Sequence, residues 1–307
     1  FAVPDIARNA EMMNEAWQRS QYACDVDGIV SIDPVFIQKM VEINGNVTLE
    51  DGTVLTGKNT AEYMLNTIYK EVPVSLQDTY FEYIASTIMN NAFSNMDITK
   101  MMKVAQSIGE LTRNRHFYAY TFHDDEAKYF QGAGLAKGTP DSETDPEVGI
   151  YLNEQNPSKL GWYIDRKTQI TKTGQNADGS KTYHVTYTLT NTLTSSEMAI
   201  CTGYILGGEQ AGVTGKPVAA PGTSAQRMLF YAPKGGSISE ITSSGDVRDQ
   251  SNAVMDGQKL VTNVAYIAPG ESVTFDFDVT TSPKAENDLT IDQTPSGKMT
   301  NEVNYQY

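Results

Sequence analysis

The chain has 307 residues, 39% hydrophobic and 20% charged, a normal globular mixture with length enough for two domains. Its formal net charge is −15 and no cluster of Lys and Arg interrupts the acidity, which excludes the phosphate-neutralising surface that nucleic-acid binding needs. No run approaches the ~18 apolar residues of a membrane-spanning helix.

In chain order, Phe1-Ala2-Val3-Pro4 lacks the charged start and apolar run of a signal peptide. With no initiating Met, the chain reads as a piece of something longer, with an upstream anchor permitted. After Pro4, Ile6, Ala10, Met13 and Trp17 follow one helical face, and residues 26–32 read as a short strand. Asp33-Pro34 supplies an N-cap and a first-turn proline for a helix through Val35, Ile37, Met40 and Val41, stopped at Asn44-Gly45. Residues 47–55 read as a hairpin folded at Asp51-Gly52. Three amphipathic helices come next, with stripes Ala61/Met64/Leu65/Ile68, Phe81/Ile84/Ala85/Ile88/Ala92 and Ile98/Met101/Met102/Ala105/Ile108. All three stripes are assigned to core packing, the Met-rich one in preference to an adaptable binding groove. Residues 116–122 then read as a strand and 124–130 as a short helix.

Residues 132–146 are rich in Gly, Pro, Asp and Thr, the mark of a linker and of an early proteolytic site. Beyond them the period is two: Tyr183, Val185, Tyr187 and Leu189 alternate with His184, Thr186, Thr188 and Thr190, and Val273, Phe275, Phe277 and Val279 with Thr274, Asp276, Asp278 and Thr280. Turn dipeptides Asp178-Gly179, Asp256-Gly257 and Pro269-Gly270 separate such runs. The expected fold is α+β: a helix-rich α/β domain over residues 1–135, an antiparallel β-sandwich over 147–282, and a polar tail, 283–307, with one strand near 289–291.

Chemistry is sparse. His116, His123 and His184 have no zinc-site spacing, and His184 falls on the polar face of its strand. No G-x-S-x-G elbow is present, and the glycines at 132, 134 and 138 come after a helix, not the strand a phosphate loop requires. Carboxylates at Asp25/Asp27/Asp33 and Asp124/Asp125/Glu126 could offer oxygens to Ca2+ or Mg2+. Asp33 has simpler work as an N-cap, however, and residues 124–126 suit the positive end of a helix dipole. No metal ligand, cofactor or catalytic residue is assigned. A Cys24–Cys201 disulfide would stabilise by about 4–5 kcal/mol on the loop-entropy model, but two Cys in so long a chain read more simply as buried, unpaired thiols.

Asp27-Gly28-Ile29-Val30-Ser31-Ile32-Asp33-Pro34, with Ile43-Asn44-Gly45-Asn46-Val47, Leu55-Thr56-Gly57-Lys58-Asn59 and Tyr69, resembles a largely actinobacterial family known as domain of unknown function 4012. The resemblance continues through Val148-Gly149-Ile150-Tyr151-Leu152-Asn153, Gly161-Trp162-Tyr163-Ile164-Asp165, Tyr231-Ala232-Pro233-Lys234-Gly235 and Ala268-Pro269-Gly270-Glu271. Members look like membrane-anchored proteins exposed outside the cytoplasm, so the resemblance implies an extracytoplasmic, envelope-associated place and no established reaction. A second resemblance, of Asp27 through Tyr63, is to the LytR-CpsA-Psr transferases, which attach lipid-linked glycopolymers to the cell wall. Two residues after the helix tyrosine those enzymes carry an Arg that binds the lipid pyrophosphate; here that place is Leu65, and no Arg lies between residues 71 and 93. Pyrophosphate transfer needs cations facing the developing charge. Arg113 and Arg115 are the candidates to replace them and the candidate ligand-binding residues. Leu65 is expected in the core with Ala61 and Ile68. The expected function is therefore a non-catalytic envelope module that assists glycopolymer assembly or binds an envelope protein. The alternatives are a divergent transferase of that kind and an adhesin-like surface stalk.

Overall fold

The computed structural model describes residues 4–94, 96–207, 218–255 and 257–307. Phe1-Ala2-Val3 and Asp256, half of one turn dipeptide, lie outside the described residues. The chain divides into two units, Phe1–Gly138 with Gly297–Met299, and Thr139–Ser296 with Thr300–Tyr307.

In the first unit, Asp5 caps α1 (Ile6–Gln18) by accepting from the Arg8 N–H at 3.0 Å. Of its expected face only Ala10 is buried; Met13 and Trp17 stay exposed. β1 (Gly28–Ile32) leads into α2 (Pro34–Asn44), where Asp33 Oδ1 accepts from the N–H groups of Val35 and Phe36 at 2.9 Å each. That bond pair satisfies two of the helix's orphan donors, and Gly45, at φ 103°, ends it. Val35, Phe36, Ile37, Met40 and Val41 are all buried. β2 (Val47–Thr48) and β3 (Val54–Leu55) form the hairpin, with Gly52 at φ 88° in its turn.

α3 (Thr60–Glu62) passes through a π-helical turn, Tyr63–Thr67, into α4 (Ile68–Glu71). A π-turn holds more residues than the ~3.6 of an α-turn and so rotates the next stretch of helix about its axis. Ala61, Met64 and Ile68 consequently face the core while Leu65 is only half-buried, against the expectation that it points inward. α5 (Val74–Ser94) buries Ile84, Ile88 and Ala92 as its period predicts. α6 (Ile98–Arg113) does not: Ile98, Met101 and Met102 are 78%, 59% and 58% exposed, and only Leu111 and Thr112 near its end are buried. The core assignment of that stripe fails at Ile98, Met101 and Met102 and holds at Ile108, because α6 packs on the rest of the unit through Val104, Ile108 and Leu111. β4 (Phe117–Thr121) pairs antiparallel with β1, from Gly28 opposite Thr121 to Ile32 opposite Phe117, and α7 (Asp124–Gly132) comes after it with three acids in its first turn.

The second unit contains β5 (Glu147–Glu154), β6 (Ile164–Gln175), β7 (Lys181–Asn191), short helices α8 (Ser195–Ile200) and α9 (Gly203–Leu206), β8 (Ser224–Tyr231), β9 (Ser237–Ile238), β10 (Thr242–Ser244), β11 (Asp246–Met255), β12 (Gln258–Ile267), β13 (Ser272–Thr280), β14 (Thr290–Gln293) and β15 (Glu302–Gln306). One sheet has the order β10-β13-β7-β6-β15, with β9 also on β13, and the other β11-β12-β8-β5-β14. Period-two alternation carries the core: Tyr183, Val185, Tyr187 and Leu189 of β7 lie opposite Val279, Phe277, Phe275 and Val273 of β13, all at most 2% exposed. Across the gap they meet Ile150, Met228, Phe230, Ala265 and Ile267.

Two expectations need correction. The sandwich is not purely antiparallel, since β14 pairs parallel with β5 and β15 parallel with β6. Nor is the end of the chain a polar tail: both of those strands come from it, and polar pairs bury it, Tyr151 Oη donating to the 1%-exposed Asp292 at 2.5 Å. Within the expected linker, the Glu286 and Asn287 N–H groups donate to Thr144 O at 2.9 and 3.1 Å. Ser282 Oγ donates to Glu143 at 3.1 Å, so residues 139–146 are tied into the second unit.

Candidate functional site: an inter-sheet cleft

The two arginines expected to bind a ligand do not converge. Arg113 is exposed on the last turn of α6, whereas Arg115 is 4% exposed. Arg115 stands at φ 63° just past the Asn114 cap, its N–H donating to Thr112 O at 3.0 Å while the His116 N–H reaches Leu111 O at 2.8 Å. This is the crossed pair that closes a helix with a left-handed residue, a place usually filled by Gly. The turn throws the guanidinium inward, where it donates to Pro4 O at 3.1 Å, Tyr118 Oη at 3.0 Å and Gly138 O at 2.5 Å. Its donors serve the fold.

The histidines are engaged too. His116, 1% exposed, sits with Nδ1 2.7 Å from Asp33 Oδ2 and Nε2 3.1 Å from Met299 O, so Asp33 caps α2 with one oxygen and orients His116 with the other. His123 lies 3.0 Å from Asp27, whose hydrogen bond raises its pKa. His184 lies 2.9 Å from Asp278 on the exposed face of β7. Among the described residues no three His, Cys, Asp or Glu side chains are grouped to hold a metal ion. Both cysteines are free, Cys24 exposed and Cys201 half-buried, so neither the disulfide nor a pair of buried thiols is what the structure has.

Among the described residues, a ligand-sized concavity lies in the second unit and was missed from sequence. β11 pairs with β12 in register from Asp246 to Arg248, then shifts before Ser251, with Asp249 at φ 57°. Such a bulge inserts a residue and flips the face of every later residue in the strand. Before the shift Val247 packs on the sandwich core. After it Asn252 stands opposite Val261 and Val254 opposite Lys259. Asn252 and Val254 therefore line, with Phe230, Ile238, Val261 and Lys259, a cleft of about 640 Å³ between β9 on one sheet and β11–β12 on the other. The volume is that of a small-molecule site.

An adjoining hollow of about 440 Å³ shares Ile238, Asn252 and Val261 and adds Ser239, Glu240, Ile241 and Gln250. Behind it, Asn263, fully buried, donates to Gln250 Oε1 at 3.3 Å, and Gln250 donates to Ile241 O at 3.2 Å. Asn263 Oδ1 has no partner among the described residues. The floor is thus apolar, with amides at one end and, among the described residues, a single cation, Lys259, in the larger cleft. No described side chain lining that cleft is His, Cys, Asp or Glu, so the arrangement can hold an apolar group and a negative charge but offers no acid–base pair.

Fold and site together define a small capped helical unit and a two-sheet sandwich with a ligand-sized cleft. Residues 1–69 match the family described as "Protein of unknown function (DUF4012)", and over that stretch the resemblance of the 27–34 and 43–47 motifs to that family holds. No curated protein matches the chain. Among solved structures, it is similar to a "putative nutrient binding protein" of Legionella pneumophila at 13% identity and a TM-score of 0.22, over 45% of this chain and 44% of that one. The chain thus spans under half of that relative's length, and a likeness at this level carries no argument about fold or ligand.

Proposed function

We propose that this chain is a non-catalytic, extracytoplasmic module of the bacterial cell envelope whose inter-sheet cleft holds the apolar portion of an anionic amphiphile. The observation that carries the reading is the pairing of an apolar floor, Phe230, Ile238 and Val261, with one cation, Lys259, in a cleft of about 640 Å³. Apolar surface supplies affinity there and the ammonium selects the sign of the head group. Lipid-linked glycopolymers have that chemistry, a chain joined to phosphate, which favours assistance to glycopolymer assembly. The envelope location rests on the family resemblance. The transferase alternative is disfavoured by Leu65 and by the commitment of Arg115 to three oxygens of the fold.

The test is calorimetric titration with dodecyl phosphate, using dodecyl trimethylammonium and dodecyl maltoside as head-group controls. Dodecyl phosphate should bind best, and Lys259→Glu should weaken it about tenfold, equivalent to ~1.4 kcal/mol. Val261→Trp, which fills the cleft, should abolish binding of all three probes. Equal affinity for the cationic probe, or binding that survives Val261→Trp, overturns the reading.

A further inference from the structure

Strand β1 belongs to a sheet of two strands, β1 and β4, and its outer edge is open. The Ala119 N–H turns away from β1 and donates to Leu135 O at 3.0 Å, while the Phe122 N–H donates across the ladder to Asp27 O at 2.9 Å. In an antiparallel pair, bonded and non-bonded positions alternate. Ile29 and Ser31 therefore exchange bonds with Tyr120 and Tyr118. Gly28, Val30 and Ile32, opposite Thr121, Ala119 and Phe117, aim their N–H and C=O groups outward. Among the described residues nothing answers those groups. Val30 and Ile32 are 63% and 40% exposed on one face of this edge. The strand has no Pro, no charged residue and no register shift to blunt it.

We infer that this edge receives an extended, basic segment of a partner protein as a third, antiparallel strand. The row of backbone groups selects a strand over a lipid or a small molecule, because another backbone offers donors and acceptors at the same spacing. Partner residues opposite Val30 and Ile32 both bond to the edge and share their face, so those positions of the partner are apolar. The charges select the sign of its ends. Asp25 and Asp27 precede the strand, Asp33 follows it, and Asp124, Asp125 and Glu126 lie just past the end of β4 that pairs with Gly28. Of the basic groups in these stretches, His123 faces Asp27 at 3.0 Å and His116 faces Asp33 at 2.7 Å. Arg19 is bonded to Glu15 at 2.7 Å, and Lys128 lies over the Tyr129 ring on α7. With all of these counted the surplus is acidic. The same surplus disfavours a second copy of this chain, since pairing β1 with itself about Val30 would set Asp27 opposite Asp33.

The experiment is fluorescence anisotropy of the whole chain with the labelled peptide Lys-Val-Thr-Val-Thr-Val-Lys at about 0.15 M salt. Its controls are the same peptide with Glu at both ends, with methylated Val nitrogens, and with methylated Thr nitrogens. The Lys-ended and Thr-methylated peptides should bind. The Glu-ended and Val-methylated peptides should bind about tenfold more weakly or less, since the Val N–H groups are those that face β1. Val30→Pro removes one outward N–H and no bond to β4, so it should lower binding about tenfold while a circular dichroism melt shows the chain folded. Asp25→Asn with Asp27→Asn should weaken binding and flatten its salt dependence. No binding of the Lys-ended peptide, equal binding of the Val-methylated or Glu-ended peptide, or equal binding by folded Val30→Pro would each overturn the inference. If Val30→Pro does not fold, the methylated peptides still decide, because they probe the same bonds on the unaltered protein. A concentration-dependent dimer that excludes the peptide would also overturn it and assign the edge to a second copy.

Discussion

Helix α6 and strand β13 carry equally regular apolar patterns, yet one is covered and the other is not. Val273, Phe275, Phe277 and Val279 are each at most 2% exposed, between flanking strands and beneath the opposite sheet. Ile98, Met101 and Met102 keep a helical period just as clean and lie more than half exposed. The difference is one of partners. A strand inside a sandwich inherits neighbours on both edges and one face from the sheet it joins. A helix inherits none, and its stripe states a need for cover without saying whether the same chain meets it.

The sharpest way to break this comparison is to truncate one residue of each pattern. Phe275→Ala should cost about 3–5 kcal/mol in urea unfolding, the usual range for a buried aromatic, whereas Met101→Ser should stay within about 0.5 kcal/mol. Similar losses at the two sites would mean that α6 is covered after all.

A second contrast lies within three residues. Arg115→Ala should cost about 2–3 kcal/mol, because three oxygens lose their donor and the left-handed backbone keeps its strain. Arg115→Gly should cost about 1 kcal/mol less, since Gly accepts φ 63° freely. Arg113→Ala should be nearly silent. A silent Arg115→Ala would return that side chain to the ligand-binding candidates.

Smaller effects refine the picture. Leu65→Arg should cost about 1 kcal/mol, because the π-turn leaves Leu65 half-buried and a long stem can carry its charge to water. A loss of several kcal/mol would restore Leu65 to the core.

In the sandwich, Lys172 at 2.6 Å, Tyr183 at 2.7 Å and the more distant Lys181 surround Asp288. The hydrogen bond from Lys172, then that from Tyr183, holds its carboxyl below the usual range. A folded-state pKa that is depressed contributes stability above the unfolded value, about 3.9, and loses it as pH falls through the folded one. Asp288→Asn should therefore cost about 0.5–1 kcal/mol at pH 7, the scale of a partly exposed ion pair, and the gap should close below about pH 4. A gap unchanged at low pH would show that packing, not charge, is at stake.

The same contrast explains what could be read from the letters. Asp33-Pro34, the alternation of β7 and β13, and the Asp51-Gly52 turn are local signals that tertiary structure had no reason to override. The cleft was not legible, because its β11 wall depends on one residue, Asp249, taking a left-handed conformation and turning the exposed Asn252 and Val254 to the cleft side of the strand. Polar residues at 249–251 of a strand are a faint hint of a bulge, and Asp is among the few types that tolerate φ 57°. Arg115 hid a helix end for the reverse reason, a bulky residue holding the place where Gly would have announced it. Of the last two strands only β14 was anticipated, near 289–291, and polarity hid β15 and the burial of both: Asp292 and Gln293 are buried through hydrogen bonds, which hydrophobic patterning does not register.

The division of the chain has a consequence for biogenesis. Gly297–Met299 belong to the first unit, where Met299 packs on the helical core and its carbonyl meets His116. The helical unit is synthesised ahead of the sandwich, yet the Gly297–Met299 segment that packs against it comes only after β14. At about 5–20 residues per second the wait is on the order of ten seconds or more. Through that interval the helices must persist without the Met299 contact and with His116 held only on its Asp33 side, an open substrate for chaperones. Vectorial synthesis thus delivers the parts in order but withholds the latch until β5 to β14 of the sandwich have been made.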